Sequence, residues 1–227
     1  MELYKAARRR RSIRNYPEKG LTQKQLNKVE RASASTREFH SDISTGAWLV
    51  RNGQDFQKDI SGILADYGKI EAPHYLVLTS KDTPEGHLEL GYRYEFLVLT
   101  LASMDIGTCW IGKGFRDEKL SNHVRLSPDQ TCVTLVALGP LPEDDELHEI
   151  KNPKRKEIRH FLLNQNPEGL SEKILDIIDC LRRAPSALNG QPWRVIVEGC
   201  QIHLFLKKKN KITRMDNLKT PPGAAVI

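Results

Sequence analysis

Three stretches of this 227-residue chain carry residue types that can act on a ligand. The first is Arg10-Arg11-Ser12-Ile13-Arg14-Asn15-Tyr16, which runs into Pro17. The residue before a proline avoids the helical region, so Tyr16 and the residues leading to it are expected to be extended. Alternate residues of an extended segment share a face, which groups Ser12, Arg14 and Tyr16, with Arg10 able to join from the end of a preceding helix. Two guanidiniums flanking a hydroxyl form a receptor for a phosphate monoester, because the guanidinium fork matches phosphate oxygens in pairs. The second stretch is the ten-residue elbow Ala184-Pro185-Ser186-Ala187-Leu188-Asn189-Gly190-Gln191-Pro192-Trp193. Pro185 ends any helix before it, and Gly190 and Pro192 keep the backbone irregular. The expected product is a rigid loop offering Ser186, Asn189 and Gln191, beside Trp193, to a flat polar ligand. The third, Gly107 to Phe115, reads as a glycine-bracketed loop whose N–H groups can approach a ligand closely.

Other chemistries lack their residues. Gly107 to Gly114 is one residue short of a nucleotide P-loop, because Gly114 replaces the hydroxyl that would hold Mg²⁺, and it follows a helical pattern rather than a strand. There is no G-x-G-x-x-G, no serine in a G-x-S-x-G elbow and no carboxylate pair with a recognisable signature. Cys109, Cys132, Cys180 and Cys200 form no C-x-x-C pair, and the seven histidines are scattered, so neither a disulfide framework nor a metal site is expected. Scattered thiols fit a reducing, cytoplasmic compartment. A sequence without acid–base or covalent machinery fits chemistry carried by a cofactor, with the protein supplying position and electrostatics.

These residues must be positioned by a soluble globular chain, 39% hydrophobic and 28% charged, with no apolar run long enough to span a membrane and no secretory signal behind its basic start. The net charge of +6 is uneven. Residues 1–31 hold ten Lys/Arg against three Glu, an excess of seven that leaves the remainder at about −1 and implies an anionic partner for this end, a small phosphate or a nucleic acid. Residues 2–14 can form a helix whose late arginines also suit its C-terminal dipole. Thr22 and Gln25 make a capping box for a helix to about Ala32, with Leu21 and Leu26 as its staple. Residues 33–47 read as loop, Trp48-Leu49-Val50 stays unassigned, and 55–67 is a weaker helix. His74–Thr79 and Thr131–Leu138 read as buried strands. Leu88–Ile106 is a central helix apolar nearly all round, with Gly107 as its C-cap and Glu95 as its odd residue, facing either an interface or ligand, or solvent. Residues 117–124 and 155–163 are further short helices, and 140–156 otherwise reads as loop. A helix from Ser171 carries Ile174, Ile177, Ile178 and Leu181 on one face, and a hairpin turns at Glu198-Gly199. No structure is expected for Lys207–Ile227.

Taken together the motifs resemble the FMN-dependent nitroreductase superfamily. Arg10 to Tyr16 resembles its N-terminal phosphate motif, Ala184 to Trp193 its A-P-S-x-x-N-x-Q-P-W segment, Ile106 to Phe115 its glycine loop, and Arg155-Lys156 its late R-K motif. In ordinary members the elbow follows the first motif after about one helix; here it comes beyond residue 170, which resembles the "putative TM nitroreductase" branch, where one chain carries two diverged halves. The resemblance implies an α+β fold, a three-layer α/β/α sandwich with a mainly antiparallel central sheet and two pseudo-repeated halves, 1–163 and a shortened 164–227. It implies FMN as cofactor, with Arg10 and Ser12 on the phosphate, Lys154 or Arg155 closing it, and Arg14 reaching the phosphate or the pyrimidine edge. Pro185, Ser186, Ala187 and Asn189 would line the ring or ribityl chain, and Ile111, Gly112 and Lys113 would offer N–H groups near its N5 and O4. The partners implied are NAD(P)H and a small acceptor such as a nitroaromatic or quinone, met in ping-pong order by a monomeric pseudo-dimer or a homodimer. Two rivals stand beside this: a family member that binds flavin without turnover, and a nucleic-acid or acidic-partner module driven by Arg8 to Arg11, which leaves the elbow unexplained and has few aromatics for base stacking.

Overall fold

In the computed structural model, residues 3–60, 70–114, 117–143 and 145–207 are described. The expected tail from Lys208 on, Phe115, and the end of the helix expected over 55–67 lie outside these residues. Four strands build an antiparallel sheet in the order β1-β2-β4-β3: β1 (Thr45–Val50), β2 (His74–Ser80), β3 (Ile106–Gly112) and β4 (Thr131–Pro140). The central strands β2 and β4 are apolar along their whole length because both faces are covered, and alternate residues serve opposite layers. Leu76, Leu78, Val136 and Leu138 pack under helices α2 (Gln23–Ala34) and α4 (Pro84–Ala102). Tyr75, Val77, Leu135 and Ala137 pack against Phe56 of α3 (Gly53–Ile60) and Leu120 of a 3₁₀ turn. The result is helix, sheet, helix in three layers, with a mainly antiparallel sheet. Between β2 and β4 the register slips: Leu78 faces Thr134 but Thr79 faces Cys132, so Val133 is an extra residue, a bulge that returns Cys132 to the Phe56 layer.

Local chemistry explains the helix starts. Thr22 and Gln25 form the reciprocal capping box, and the flanking Leu21 and Leu26 are both buried. Thr83 caps α4 through the Gly86 N–H, with Pro84 in the first turn. Ser171 precedes α5 (Glu172–Arg183), as its sequence predicts.

Three expectations are corrected. The central helix ends at Ala102, and Asp105, at φ 54°, turns the chain before Gly107 is reached, so Gly107 caps nothing. The residues from Ile106 to Gly112 are not a loop but the strand β3, and Gly107 lies within it, where a Cβ would come within 3.1 Å of Ile13. The residues expected as loop or left unassigned between 45 and 50 are the edge strand β1.

α5, β5 (Trp193–Glu198) and β6 (Gln201–Leu206) enclose a second core of Phe161, Leu162, Ile178, Leu181, Trp193, Val195 and Val197. The hairpin turns at Gly199, at φ 60°, as expected. Phe161 and Leu162, which precede the boundary expected at 163, belong to this core and pair with Val195 through the Val195 N–H to Phe161 and the Leu163 N–H to Val195. Helix α1 (Leu3–Arg9) joins the two bodies, with Ala6 and Ala7 packed against Leu99 of α4 and Cys180 of α5. No helix among the described residues is long and apolar enough to cross a membrane.

His74 ties the entry of α2 to the sheet. Its Nε2 accepts the Leu21 N–H at 2.9 Å, which leaves Nδ1 to carry the proton and donate to Arg51 O at 2.6 Å. Burial holds its pKa below 6.5. A base that resists protonation only in the folded state contributes stability that is full above the unfolded pKa and declines as pH falls below it. The urea midpoint of the wild type should therefore approach that of His74→Gln as pH is lowered from 7 to 5; a constant gap would refute this role.

Candidate functional site

The N-terminal arginines divide by partner. Arg8 donates to Glu149 and lies 4.0 Å from Asp179, Arg9 pairs with Asp105 at 3.0 Å, and Arg11 pairs with Asp145. Beyond α1 the chain lies against the free edge of β3: Ser12 bridges Thr108 in parallel, and the Ile13 N–H donates to Thr108 O at 2.9 Å. Ile13 is buried on Gly107 and the Ser12 hydroxyl hydrogen-bonds Cys109, while Arg10 turns to Glu95 of α4. Burial pushes the Cys109 thiol up, and the Arg14 charge, the Ser12 hydrogen bond and the Arg10 charge oppose it.

Arg10 itself points inward. Its side chain is 3% exposed, and its Nε lies 3.7 Å from Oε1 of Glu95, whose side chain is 1% exposed. Glu95 is therefore neither a solvent-facing carboxylate nor a free interface group. Its Oε2 accepts the Trp110 indole N–H at 2.7 Å. Burial pushes the carboxyl up to about 7, against the pull of Arg10 and Trp110.

Residues 154–156 dock on the elbow through three hydrogen bonds and on the end of α5 through a fourth. The Asn189 amide donates to Lys154 O at 2.9 Å, and Arg155 Nη2 donates to Arg183 O at 3.3 Å. The Lys156 N–H donates to Gln191 Oε1 at 2.8 Å, and its ammonium to Gly190 O at 3.0 Å. Arg155 is held below its ordinary pKa by burial and then by the charges of Arg10, Arg182 and Arg183. Asp179 answers Arg182 and, at 2.7 Å, Arg183; burial would raise its pKa, but these hydrogen bonds hold it low. Asp179 thus answers Arg8, Arg182 and Arg183 and Glu95 answers Arg10, while Arg155 feels the charges of Arg10, Arg182 and Arg183. Within this group Arg10 Nη1 and Arg155 Nε are buried with no hydrogen-bond partner among the described residues. An unpartnered buried donor costs about 1–3 kcal/mol, and more when charged, so the arrangement favours an added anion.

The elbow is a rigid loop, but its polar groups are largely turned on itself. Leu188, Asn189 and Gln191 have φ of 52°, 53° and 48°, sparsely populated for residues with side chains. They are held there by the Gln191 N–H on Ser186 Oγ and the Asn189 N–H on Ser186 O, both 3.0 Å, and by the Gln191 amide on Asn189 O at 2.9 Å. Gln191, expected to face a ligand, is 2% exposed, and Trp193 is 1% exposed in the second core. Pro185 is buried, Ser186 half-buried, and Ala187 and Asn189 exposed.

Of the expected glycine-loop donors, strand geometry selects one. Because Thr108 serves the residue 12–13 segment, the backbone groups of Trp110 and Gly112 also face away from β4, and those of Ile111 face β4. The Lys113 ammonium is engaged by Asp117 at 2.7 Å and Thr131 at 3.2 Å. Sequence reading singled out Arg10, Ser12, Arg14 and Arg155 but missed Asp179, Arg182 and Arg183, whose only signal was a charged helix end just before the elbow. A cleft of about 520 Å³ opens at the opposite edge of the sheet, between β1, α2 and α4, with Glu30, Trp48, Arg93 and Tyr94 in its wall. It contains none of the residues expected from sequence. Among the described residues no group of three or more His, Cys, Asp or Glu is placed to hold a metal ion.

A family model described as "Putative TM nitroreductase" matches residues 2–217. Among solved structures the chain is similar to one described as a "putative nitroreductase" from Thermotoga maritima MSB8, with 20% identity over 91% of this chain and 76% of that one, at a TM-score of 0.60. It is also similar to a nitroreductase with bound FMN from Bacteroides fragilis NCTC 9343, with 18% identity, 68% and 96% coverage and a TM-score of 0.53. A third is described as a "putative NADH oxidase" from Clostridium acetobutylicum, with 20% identity, 71% and 99% coverage and a TM-score of 0.54. At these identities the likeness is one of fold. No curated protein matches by sequence.

Proposed function

Since this chain belongs to the nitroreductase family so described, we propose that it is an FMN-dependent oxidoreductase that takes reducing equivalents from NAD(P)H and passes them, in ping-pong order, to a small acceptor such as a nitroaromatic or quinone. One observation carries the reading: Arg10 and Arg155, far apart in sequence, each keep a buried guanidinium nitrogen without a partner in one crowded cationic cluster. A phosphate monoester is the ligand that such a cluster fits, and the nitroreductase from Bacteroides fragilis, which shares the fold, has FMN bound. FMN, when bound, supplies reversible redox chemistry that the side chains here lack.

The chain's part is binding and orientation. Arg10 and Arg155 hold the phosphate, with Ser12 as a neutral donor and the exposed Lys154 at its rim. Arg14, on the same side of the extended segment, supplies a fixed cation for the pyrimidine edge, where charge develops on reduction. Gly112, flanked by Ile111 and Lys113, offers its N–H from the free edge of β3. Pro185, Ser186, Ala187 and Asn189 form a wall for the ring or ribityl chain, with Ser186 and Asn189 acting by fixing the loop's shape. Because Arg155 feels the charge of Arg10 and bonds the end of α5 that leads into the elbow, all within one chain, a single-chain site is the arrangement we favour over one shared between two subunits.

The protein as purified is expected to absorb as a flavoprotein, and Arg10→Ala combined with Arg14→Ala to lose that absorbance. Protein that is colourless and takes up no added FMN would sink the proposal. Stopped-flow mixing with NADH or NADPH then separates an enzyme from a flavin carrier, since only the enzyme bleaches within its turnover time.

A further inference from the structure

Beside the candidate phosphate site lies a buried carboxylate that the proposed function leaves unused. Glu95 shares a dry pocket with Arg10, the two side chains being 1% and 3% exposed. Their nearest approach, 3.7 Å, is a charge contact but too long for a hydrogen bond. Glu95 Oε1 and Arg10 Nη1 consequently both remain without hydrogen-bond partners among the described residues. Around the carboxyl, Arg10, just past the end of α1, and the neutral Trp110 N–H of β3 are the groups that act on it among the described residues. The neighbours are turned elsewhere: Arg8 and Arg9 to Glu149 and Asp105, Glu89 to the Phe39 and His40 N–H groups, and Arg93 to Glu38. Arg10 is therefore drawn by Glu95 on one side and repelled by Arg155 on the other.

We propose that Glu95 is the proton-linked counter-charge of the anion site: ionised, it holds Arg10 inward, and on taking up a proton from solvent it frees that guanidinium for a phosphate. The inference rests on reading Arg10 and Arg155 as the phosphate site. Its geometry agrees with a carboxyl that burial pushes up to about 7, within reach of ordinary pH changes. Linkage is reciprocal: a lower pH tightens anion binding, and anion binding draws a proton onto Glu95.

The test compares wild type with Glu95→Gln, binding FMN, riboflavin and sulfate from pH 5.5 to 8.5. Sulfate is a dianion throughout, whereas a phosphate monoester titrates near 6, so sulfate isolates the protein's own proton. Gln should bind both anions as tightly as wild type at pH 5.5 and about tenfold more tightly at pH 8.5, equivalent to a one-unit rise in the Glu95 pKa on binding. The crossover should fall near pH 7, and riboflavin, which has no phosphate, should show no such trend. If the variant folds poorly, calorimetry of wild type with sulfate at pH 7.5, in two buffers of different ionisation enthalpy, should report proton uptake. A pH-independent ratio, a Gln variant that binds more weakly at pH 8.5, or binding without proton uptake overturns the proposal. Sulfate binding with uptake but no FMN binding keeps the proposal and removes the FMN reading, FMN binding with a flat ratio does the reverse, and binding of neither anion overturns both.

Discussion

Arg155→Ala is expected to weaken FMN binding by roughly 10–100-fold while changing riboflavin binding little, because the loss is of charge-assisted hydrogen bonds to the phosphate, each worth about 1.5–3 kcal/mol. Arg155 is chosen over Arg10 because it carries the unpartnered Nε while its two terminal nitrogens are already placed, Nη1 on Lys154 O and Nη2 on Arg183 O. Removing the side chain also removes two bonds to backbone near the elbow, so a loss of about 1–2 kcal/mol of stability should accompany it. Arg155→Lys separates the effects: it keeps the charge, loses the fork, and should recover only part of the FMN affinity. Equal weakening of FMN and riboflavin would mean that Arg155 supports the elbow and does not touch the phosphate. Titration of flavin fluorescence measures both ligands directly.

Trp193→Ala is expected to cost about 3–5 kcal/mol, the usual range for truncating a fully buried aromatic. Trp193 is 1% exposed and is the largest member of the small core that holds α5, β5 and β6 together. That core has few residues to spare, and the elbow's strained backbone depends on the strand that Trp193 begins. Trp193→Phe should be far milder, within about 1–2 kcal/mol, because the indole N–H is buried without a partner among the described residues and phenylalanine removes it at the cost of modest volume. Denaturant melts of the two variants check the contrast. Equal losses would mean that the indole makes a polar contact in solution.

What could be read from sequence was local. The Thr22–Gln25 box, the start of α5 at Ser171 and the turn at Gly199 each depend on residues within one or two turns of one another, and each stands where it was expected. β3 was missed because Gly107 and Gly112 bracket its Thr-Cys-Trp-Ile run and imitate loop punctuation; what makes it a strand is its partner β4, some 25–30 residues on. The site was half legible for the same reason. The spacing of residues 12–16 predicts one face for Ser12, Arg14 and Tyr16, and Ile13 between them is buried on Gly107. That Arg10 turns to Glu95, and that Arg182 and Arg183 crowd Arg155, depends on the packing of α1 between α4 and α5, which no local pattern encodes. The inward turn of Gln191 follows from three positive φ angles, two of them at residues, Leu188 and Gln191, whose types do not announce one.

The position of α1 has a kinetic consequence. Residues 3–13 emerge from the ribosome well before their partners Leu99, Thr108, Glu149 and Asp179. At about 5–20 residues per second the segment waits roughly 10–30 s for α5 to be made. Contacts of such long sequence separation also form slowly once available, because the loop they close must first be ordered. Assembly of the site is therefore expected to be a late event in folding.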